Sequence, residues 1–339
     1  MFGTVNIFSL FYRTLEGDKP DRNCAFMKKI FCFLFLYIIA ILAAIAQQDP
    51  QFTFNRQTQL TVNPGYAGND GMITGTLLNR WQWVGIKGAP VTLVFSAGSA
   101  TDLFGIKSGI GLNIMSDQLG FFKNTTISFD YAYRRKTGIG ELGIGPSFGF
   151  YNMSINPDWY IPESDVHGTT TEPGIPQGQA SKLAFDLGFG VYLKSNKYFF
   201  GASATHINQA SIILGEQART FLARHYYVSG GYNISLSDPL FELEPAVYFK
   251  TDGVAYQADF TVDLVYKKRF SAGLNYRIND AICVLLGFEM NNGLRIGYAY
   301  DIMTSALAAY GDGSHELYLG YSFDLGKNRS KKYKSVRYL

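Results

Sequence analysis

Charge is scarce in this chain. Asp, Glu, Lys and Arg make up 17% of it, against roughly 25% in ordinary soluble domains. The net charge is only +3 and no basic stripe runs through the body, which excludes nucleic acid as a partner. Cysteine is nearly missing. Only Cys283 lies beyond the N-terminal region that holds Cys24 and Cys32, so an internal disulfide is excluded, as is a structural Cys/His metal cluster. The four histidines, His167, His206, His225 and His315, show nothing like the H-E-x-x-H spacing of a helical metal site. Ser314-His315-Glu316 has triad residue types, but strand neighbours point to opposite faces. A triad drawn from distant strands, as in barrel lipases, stays open. Gly143-Ile144-Gly145 is followed by no helix and is no phosphate loop. The sequence thus points to no catalytic residue, metal or cofactor.

Long apolar runs are also missing, with one exception. Ile30 to Leu42 follows the basic start Met27-Lys28-Lys29 and precedes the small-x-small stretch Ala44-Ile45-Ala46. That is the pattern of a secretory signal peptide cleaved after Ala46. An uncleaved anchor is the alternative, for which the run is short. Cys32 sits within the apolar run, which argues against a lipid-anchored N-terminus. Residues 1–26 precede a complete n-region and have no periodicity. The expected start is therefore Met27, with 1–26 a spurious extension.

Tyr (23), Phe (27) and Gly (36) are abundant. With little charge, this is the composition of a transmembrane β-barrel, which carries aromatic girdles outside and small or polar residues inside. The periodicity agrees. Leu183, Phe185, Leu187, Phe189, Val191 and Leu193 alternate with Lys182, Ala184, Asp186, Gly188, Gly190 and Tyr192. Similar period-two runs recur to the end of the chain. Each is roughly the 9–11 residues that a tilted membrane strand needs. Fourteen are expected, at 70–84, 89–99, 107–117, 123–136, 139–154, 181–194, 197–205, 223–236, 239–250, 255–267, 269–278, 281–290, 292–302 and 314–325. The predicted fold is all-β, a transmembrane antiparallel β-barrel of about 14 strands over 70–325.

Connection lengths orient it. Both chain ends of such a barrel are expected in the periplasm, where turns are short. Connections after even strands are short, as at Lys136-Thr137-Gly138, Ser195-Asn196, Lys267-Lys268 and Asn291-Asn292. The long ones, 155–180, 206–222 and 303–313, follow odd strands and are expected outside the cell. The first has four prolines and is either functional or disordered.

Inside the predicted barrel fall Asp130, Arg134, Asp186, Glu242, Glu244, Asp259, Asp263, Arg295 and Glu316, each on the polar set of its strand. A cation facing lipid at mid-membrane costs about 2–4 kcal/mol, so inward placement is required. These groups either pair to fill the lumen or line a conducting or ligand-binding one. Residues 47–69 are polar and irregular, a pre-barrel segment in the periplasm or folded into the lumen. The tail 326–339 has six basic residues and no acid. It is either a solvated extension or a periplasmic contact to a partner, cell wall or anionic headgroups.

Asn63 to Pro90 concentrates turn residues and aromatics. If Trp81 and Trp83 stand on one strand they share a face, which suits an outer aromatic girdle. Pro90 would open the second strand, with Gly85 and Gly88 in the turn. Asn63-Pro64-Gly65-Tyr66-Ala67-Gly68 resembles the N-P-x-Y-A-G signature of the PorP/SprF family. Arg80-Trp81-Gln82-Trp83-Val84-Gly85 with Gly88-Ala89-Pro90 resembles its R-x-Q-W-x-G…G-A-P segment. Ser108 to Leu112 with Asp117 to Gly120, Gly297 to Asp301 and Gly313 to Glu316 resemble later motifs, in order. Residues 1–26 have no counterpart there.

The resemblance implies an outer-membrane protein of Bacteroidota, tied to type IX secretion and gliding motility. It implies a non-enzymatic barrel that helps export or surface attachment of a secreted cargo or adhesin by binding the cargo's C-terminal domain. Other implied partners are periplasmic secretion components. Asn63, Pro64, Tyr66, Gly68, Arg80, Trp83, Gly85 and Pro90 become candidates for partner contact or assembly. A porin-like or apolar-ligand transporter is the rival reading, since fourteen-stranded barrels include those.

Overall fold

Alternation becomes strand because the pleat sends successive side chains to opposite faces. The structure, a computed structural model, describes residues 49–156, 178–214 and 218–323. The expected signal peptide, most of the 155–180 connection with His167, and the basic tail lie outside those residues.

The strands are β1 (Ile73–Trp81), β2 (Val91–Leu103), β3 (Ile106–Leu119), β4 (Phe122–Thr137), β5 (Gly140–Ile155), β6 (Ala180–Lys194), β7 (Tyr198–Thr205), β8 (Ser211–Leu214), β9 (Ala218–Phe221), β10 (His225–Tyr232), β11 (Ile234–Ser235), β12 (Phe241–Thr251), β13 (Tyr256–Tyr266), β14 (Phe270–Arg277), β15 (Ala281–Glu289), β16 (Leu294–Met303) and β17 (Ser314–Phe323). Antiparallel pairing runs from β1 through β7 to β10, on to β12 and β17, and closes where β17 meets β1. The result is a closed fourteen-strand barrel. β8 and β9 pair only with each other, in the connection between β7 and β10.

The two faces differ as membrane and lumen require. On the outside Leu77 stands between Phe95 and Leu319, all three exposed. On the inside Leu78 stands between Val94 and Tyr318, all three buried. Exposed Leu, Ile, Val, Phe and Tyr recur on the outer face of strand after strand. An apolar surface that extensive is stable only under lipid.

β1 starts and β17 finishes at one end, where Ile73 pairs with Phe323. That is the near end; Trp81 pairs with His315 at the far end. The three long connections, 156–179, 206–224 and 304–313, are all at the far end. Near-end turns such as 104–105 and 138–139 are tight.

Several boundaries differ from the sequence expectation. β1 stops at Trp81, because the Gln82 N–H donates to the Pro90 carbonyl and closes the turn. Trp83 takes a left-handed conformation, φ 51, so it does not share a strand face with Trp81. Pro90 lies one residue before β2. The strand expected over 223–236 is interrupted at Asn233, whose amide turns inward to Glu242 and Glu244. The 206–222 connection is no plain loop. Ile212, Leu214 and Leu222 pack with Tyr151, Met153 and Ile155 of β5 into an apolar cap at the far end.

Candidate functional site: a lumen filled by the N-terminal segment

The segment before β1 lies within the barrel, the second of the two placements the sequence left open, and not in the periplasm. Its sequence explains why. Phe52, Phe54 and Leu60 supply apolar surface, Asp49 and Arg56 supply charge, and no continuous pattern makes it a strand. Its backbone polar groups therefore need partners from the wall.

It starts at the far end. The Asp49 carboxylate lies 3.1 Å from His206 Nε2 and accepts from the Tyr227 and Thr205 hydroxyls. The Asp49 carbonyl accepts from Lys250 Nζ at 2.8 Å. Burial alone would lower the His206 pKa, but Asp49 and Asp186 at its two nitrogens raise it to about 10. Burial would likewise raise the Asp49 pKa, yet His206 and His225 hold it well below the usual carboxylate range. A charged His206 can donate from both nitrogens, one to each carboxylate.

A buried ion network comes next. Arg80 pairs with Asp301 at 2.7 Å and Glu316 at 2.9 Å, and Arg277 pairs with Asp301 at 3.0 Å and Asp259 at 3.3 Å. The segment completes it. The Thr53 and Phe54 N–H groups donate to the two Glu316 oxygens, and the Thr53 hydroxyl donates to Asp301. Buried charges persist only with such partners. Beside it, Phe52 and Phe54 pack with Leu78, Val94, Leu285 and Tyr318. Further down, Arg56 bridges Glu244 at 2.7 Å and Asp263 at 2.8 Å. Within the helical turn α1 (Gln59–Val62), the Leu60 carbonyl accepts from Asn113, which also donates to Asp130.

The N-P-G-Y-A-G hexapeptide then presses backbone against wall. Asn63 Oδ1 accepts the Gly65 N–H at 3.0 Å, fixing the 3-10 turn Pro64–Tyr66, and its Nδ2 donates to the Val191 carbonyl at 3.0 Å. Tyr66 meets Tyr192 edge-on, ring centres 4.9 Å apart. A Cβ on Gly109 would collide with the Ala67 carbonyl, and one on Gly190 with the Asn63 side chain. Arg134 donates to the Ala67 carbonyl at 2.9 Å and pairs with Glu141 at 2.8 Å. Lys194 pairs with Asp70 at the near end. The segment thus enters the far end and leaves at the near end. Asp49 and Phe323 lie at opposite ends of the barrel, so the two ends of the described chain do not share a side.

Two cavities flank it. One adjoins Asp49, Leu60, Asp186 and His206. The other adjoins Phe54, Arg56, Lys268, Glu289 and Arg295.

A family model described as the type IX secretion system membrane protein PorP/SprF matches residues 44–321. The chain belongs to the PorP/SprF family. A comparison with curated proteins gives no match. Among solved structures it is similar to the Ralstonia pickettii toluene transporter TbuX, at 9% identity and TM-score 0.47, covering 80% of this chain and 94% of that one. The Pseudomonas putida toluene transporter TodX is similar at 12% identity and TM-score 0.46, covering 78% and 93%. A Pseudomonas aeruginosa FadL homologue is similar at 9% identity and TM-score 0.46, with the same coverages.

In this PorP/SprF barrel the singled-out residues fall into two groups. Asn63, Pro64, Tyr66 and Gly68 are buried in the luminal segment. Arg80, Asp130, Arg134, Asp186, Asp259, Asp263, Arg295 and Glu316 are buried on the wall around it. Arg295 donates to Ser322 at 2.8 Å. Trp83, Gly85 and Pro90 stand apart, in the far-end loop. There the Trp83 N–H donates to Ser314, and Val84 exchanges backbone bonds with Gly313 and Asp312. His315 is on the outer face, 2.7 Å from the Tyr298 hydroxyl, while Ser314 and Glu316 turn inward and are buried. Sequence reasoning missed Asp49, Arg56, His206, His225, Arg277 and Asp301. Strand parity could have found the last two. Only the folded chain joins the others.

Proposed function

We propose that this PorP/SprF chain is a non-enzymatic outer-membrane barrel that helps export or surface attachment of a cargo protein, by docking the cargo's C-terminal domain. Family membership supports association with type IX secretion. The observation that carries docking over conduction is the filled lumen, with Asp49, Thr53, Arg56 and Asn63 each bonded to the wall. On this reading the far end faces outward, because its connections are the long ones. The far-end loops meet cargo, and the near end meets periplasmic secretion components. The hexapeptide and its glycine-walled seat serve assembly, and the luminal charges hold the segment in place.

Gentle extraction of the tagged protein and identification of what copurifies tests this directly. One large surface protein or secretion components are expected. Deletion of the gene should strip that protein from the cell surface or block its export. Loss of small-solute uptake with an intact surface proteome would sink the proposal. It would favour the rival reading, an apolar-ligand or porin-like transporter using the cavities beside the segment.

A further inference from the structure

Nothing in the spacing of the four histidines pairs any two of them, but the fold does. His206 follows β7 in a left-handed conformation, φ 53, and His225 opens β10; both are buried. Their rings cross at 79° with centres 6.0 Å apart. Each ring has its Nδ1 held by an acceptor. His206 Nδ1 is 2.9 Å from Asp186 Oδ1, and His225 Nδ1 is 2.9 Å from the Ala223 carbonyl. His206 turns its Nε2 to the Asp49 carboxylate; His225 turns its Nε2 to the Asp49 backbone and has its Nδ1 3.7 Å from Asp49 Oδ2. His206 Nε2 is 3.1 Å from Asp49 Oδ1, and His225 Nε2 accepts the Asp49 backbone N–H at 3.1 Å. One ligand atom from each of the three residues falls within 4.8 Å of the others.

We propose that Asp49, His206 and His225 form a binding site for a divalent first-row transition metal, zinc fitting best, that clips the start of the luminal segment to β7 and β10. A metal-binding histidine coordinates through one nitrogen and gives the other N–H to an orienting acceptor. Both rings here are set that way. Two imidazole nitrogens and one carboxylate oxygen match zinc, with the fourth position left for water. Magnesium and calcium prefer all-oxygen sets.

A cavity beside Asp49, Asp186 and His206 leaves room for a water ligand. Charge also fits. Once an ion has displaced the His206 proton, the carboxylates of Asp49 and Asp186 outweigh the single ammonium of Lys250, which donates to the Asp49 carbonyl. On entry the ion replaces the proton between His206 Nε2 and Asp49 Oδ1, and that proton leaves to solvent. The Asp49 N–H gives up His225 Nε2, whose lone pair goes to the metal. Tyr227 and Thr205 keep their hydroxyls on Asp49 Oδ2 and orient the carboxylate. The clip does not depend on the secretion reading.

The test uses the full-length protein purified in mild detergent and stripped with a chelator. Titration with zinc alone should show one ion per chain. Cobalt alone should give the visible bands of a four-coordinate site in the unaltered protein, a readout that needs no variant. His206→Gln and His225→Gln should each abolish stoichiometric binding, while retained heat-modifiable gel mobility shows the barrel intact. Asp186→Asn, which removes only the orienting acceptor, should weaken binding roughly 10–100-fold. Sub-stoichiometric zinc with no cobalt bands in the unaltered protein would overturn the proposal. So would binding that survives in both histidine variants.

Discussion

Arg80 and Glu316 meet across the seam that closes the barrel, Nη1 to Oε2 at 2.9 Å, with side chains 1% and 0% exposed. The same carboxylate accepts the N–H groups of Thr53 and Phe54. One side chain thus ties the β1–β17 seam to the segment in the lumen. Glu316→Ala leaves Arg80 with the Asp301 carboxylate and the Thr53 hydroxyl and strands two buried N–H groups. Breaking one partner of a buried pair costs about 3–5 kcal/mol. The urea midpoint of the heat-modifiable gel shift should fall accordingly. Replacing Arg80 and Glu316 together by leucine should cost less than Glu316→Ala alone. An additive double-mutant cycle would show that the pair is not coupled.

The hexapeptide makes a different demand, for space. Gly109 and Gly190 have no room for a Cβ because the Ala67 carbonyl and the Asn63 side chain occupy it. Gly109→Ala and Gly190→Ala should therefore unseat the segment while the barrel still forms. Limited proteolysis should cut between residues 49 and 70 in these variants and spare the unaltered protein. Gly75→Ala is the control, since a Cβ there meets nothing within 4 Å. Equal protection in all three would show that the close approach is not what seats the segment.

The barrel was legible in the sequence because a lipid-facing side chain and a lumen-facing one alternate through the middle of strands such as β13. Phe260, Val262 and Leu264 are exposed, while Asp259, Thr261 and Asp263 are buried. Period two reports only that the wall has two faces. It does not report what fills the space inside. Arg56 reaches Asp263 from 207 positions away, and no local pattern encodes such a contact. Trp83 misled for a related reason. Its spacing from Trp81 suits a strand, but the Gln82 to Pro90 hydrogen bond ends the strand first. The hexapeptide is visible as a motif, but the glycines it packs against, Gly109, Gly143 and Gly190, lie on three strands distant from it in sequence.

Removal of the segment tests whether it blocks the pore. The unaltered protein should give no steady conductance in planar bilayers. A chain lacking residues 49–69 should give discrete channel steps, provided gel mobility shows a closed barrel. Arg56→Ala should fall between the two. It removes the bridge between Glu244 and Asp263 that ties the segment to two wall strands. Channel steps from the unaltered protein equal to those of the deletion would rule out a blocking role.

Orientation can be read by labelling. Val254 lies in the far-end turn between β12 and β13 and is 43% exposed; Ile139 lies in the near-end turn between β4 and β5 and is 62% exposed. Cys283 is buried and should not react. A membrane-impermeant maleimide on intact cells should label the Val254→Cys variant at once. It should label the Ile139→Cys variant only after the outer membrane is opened. That outcome puts Asp49 at the cell surface and the end of β17 at the periplasm, because the luminal segment runs from one to the other. The reverse labelling order would turn the barrel over. It would place the long connections in the periplasm, against the rule that short turns face inward, and would move the expected cargo contact to the other mouth.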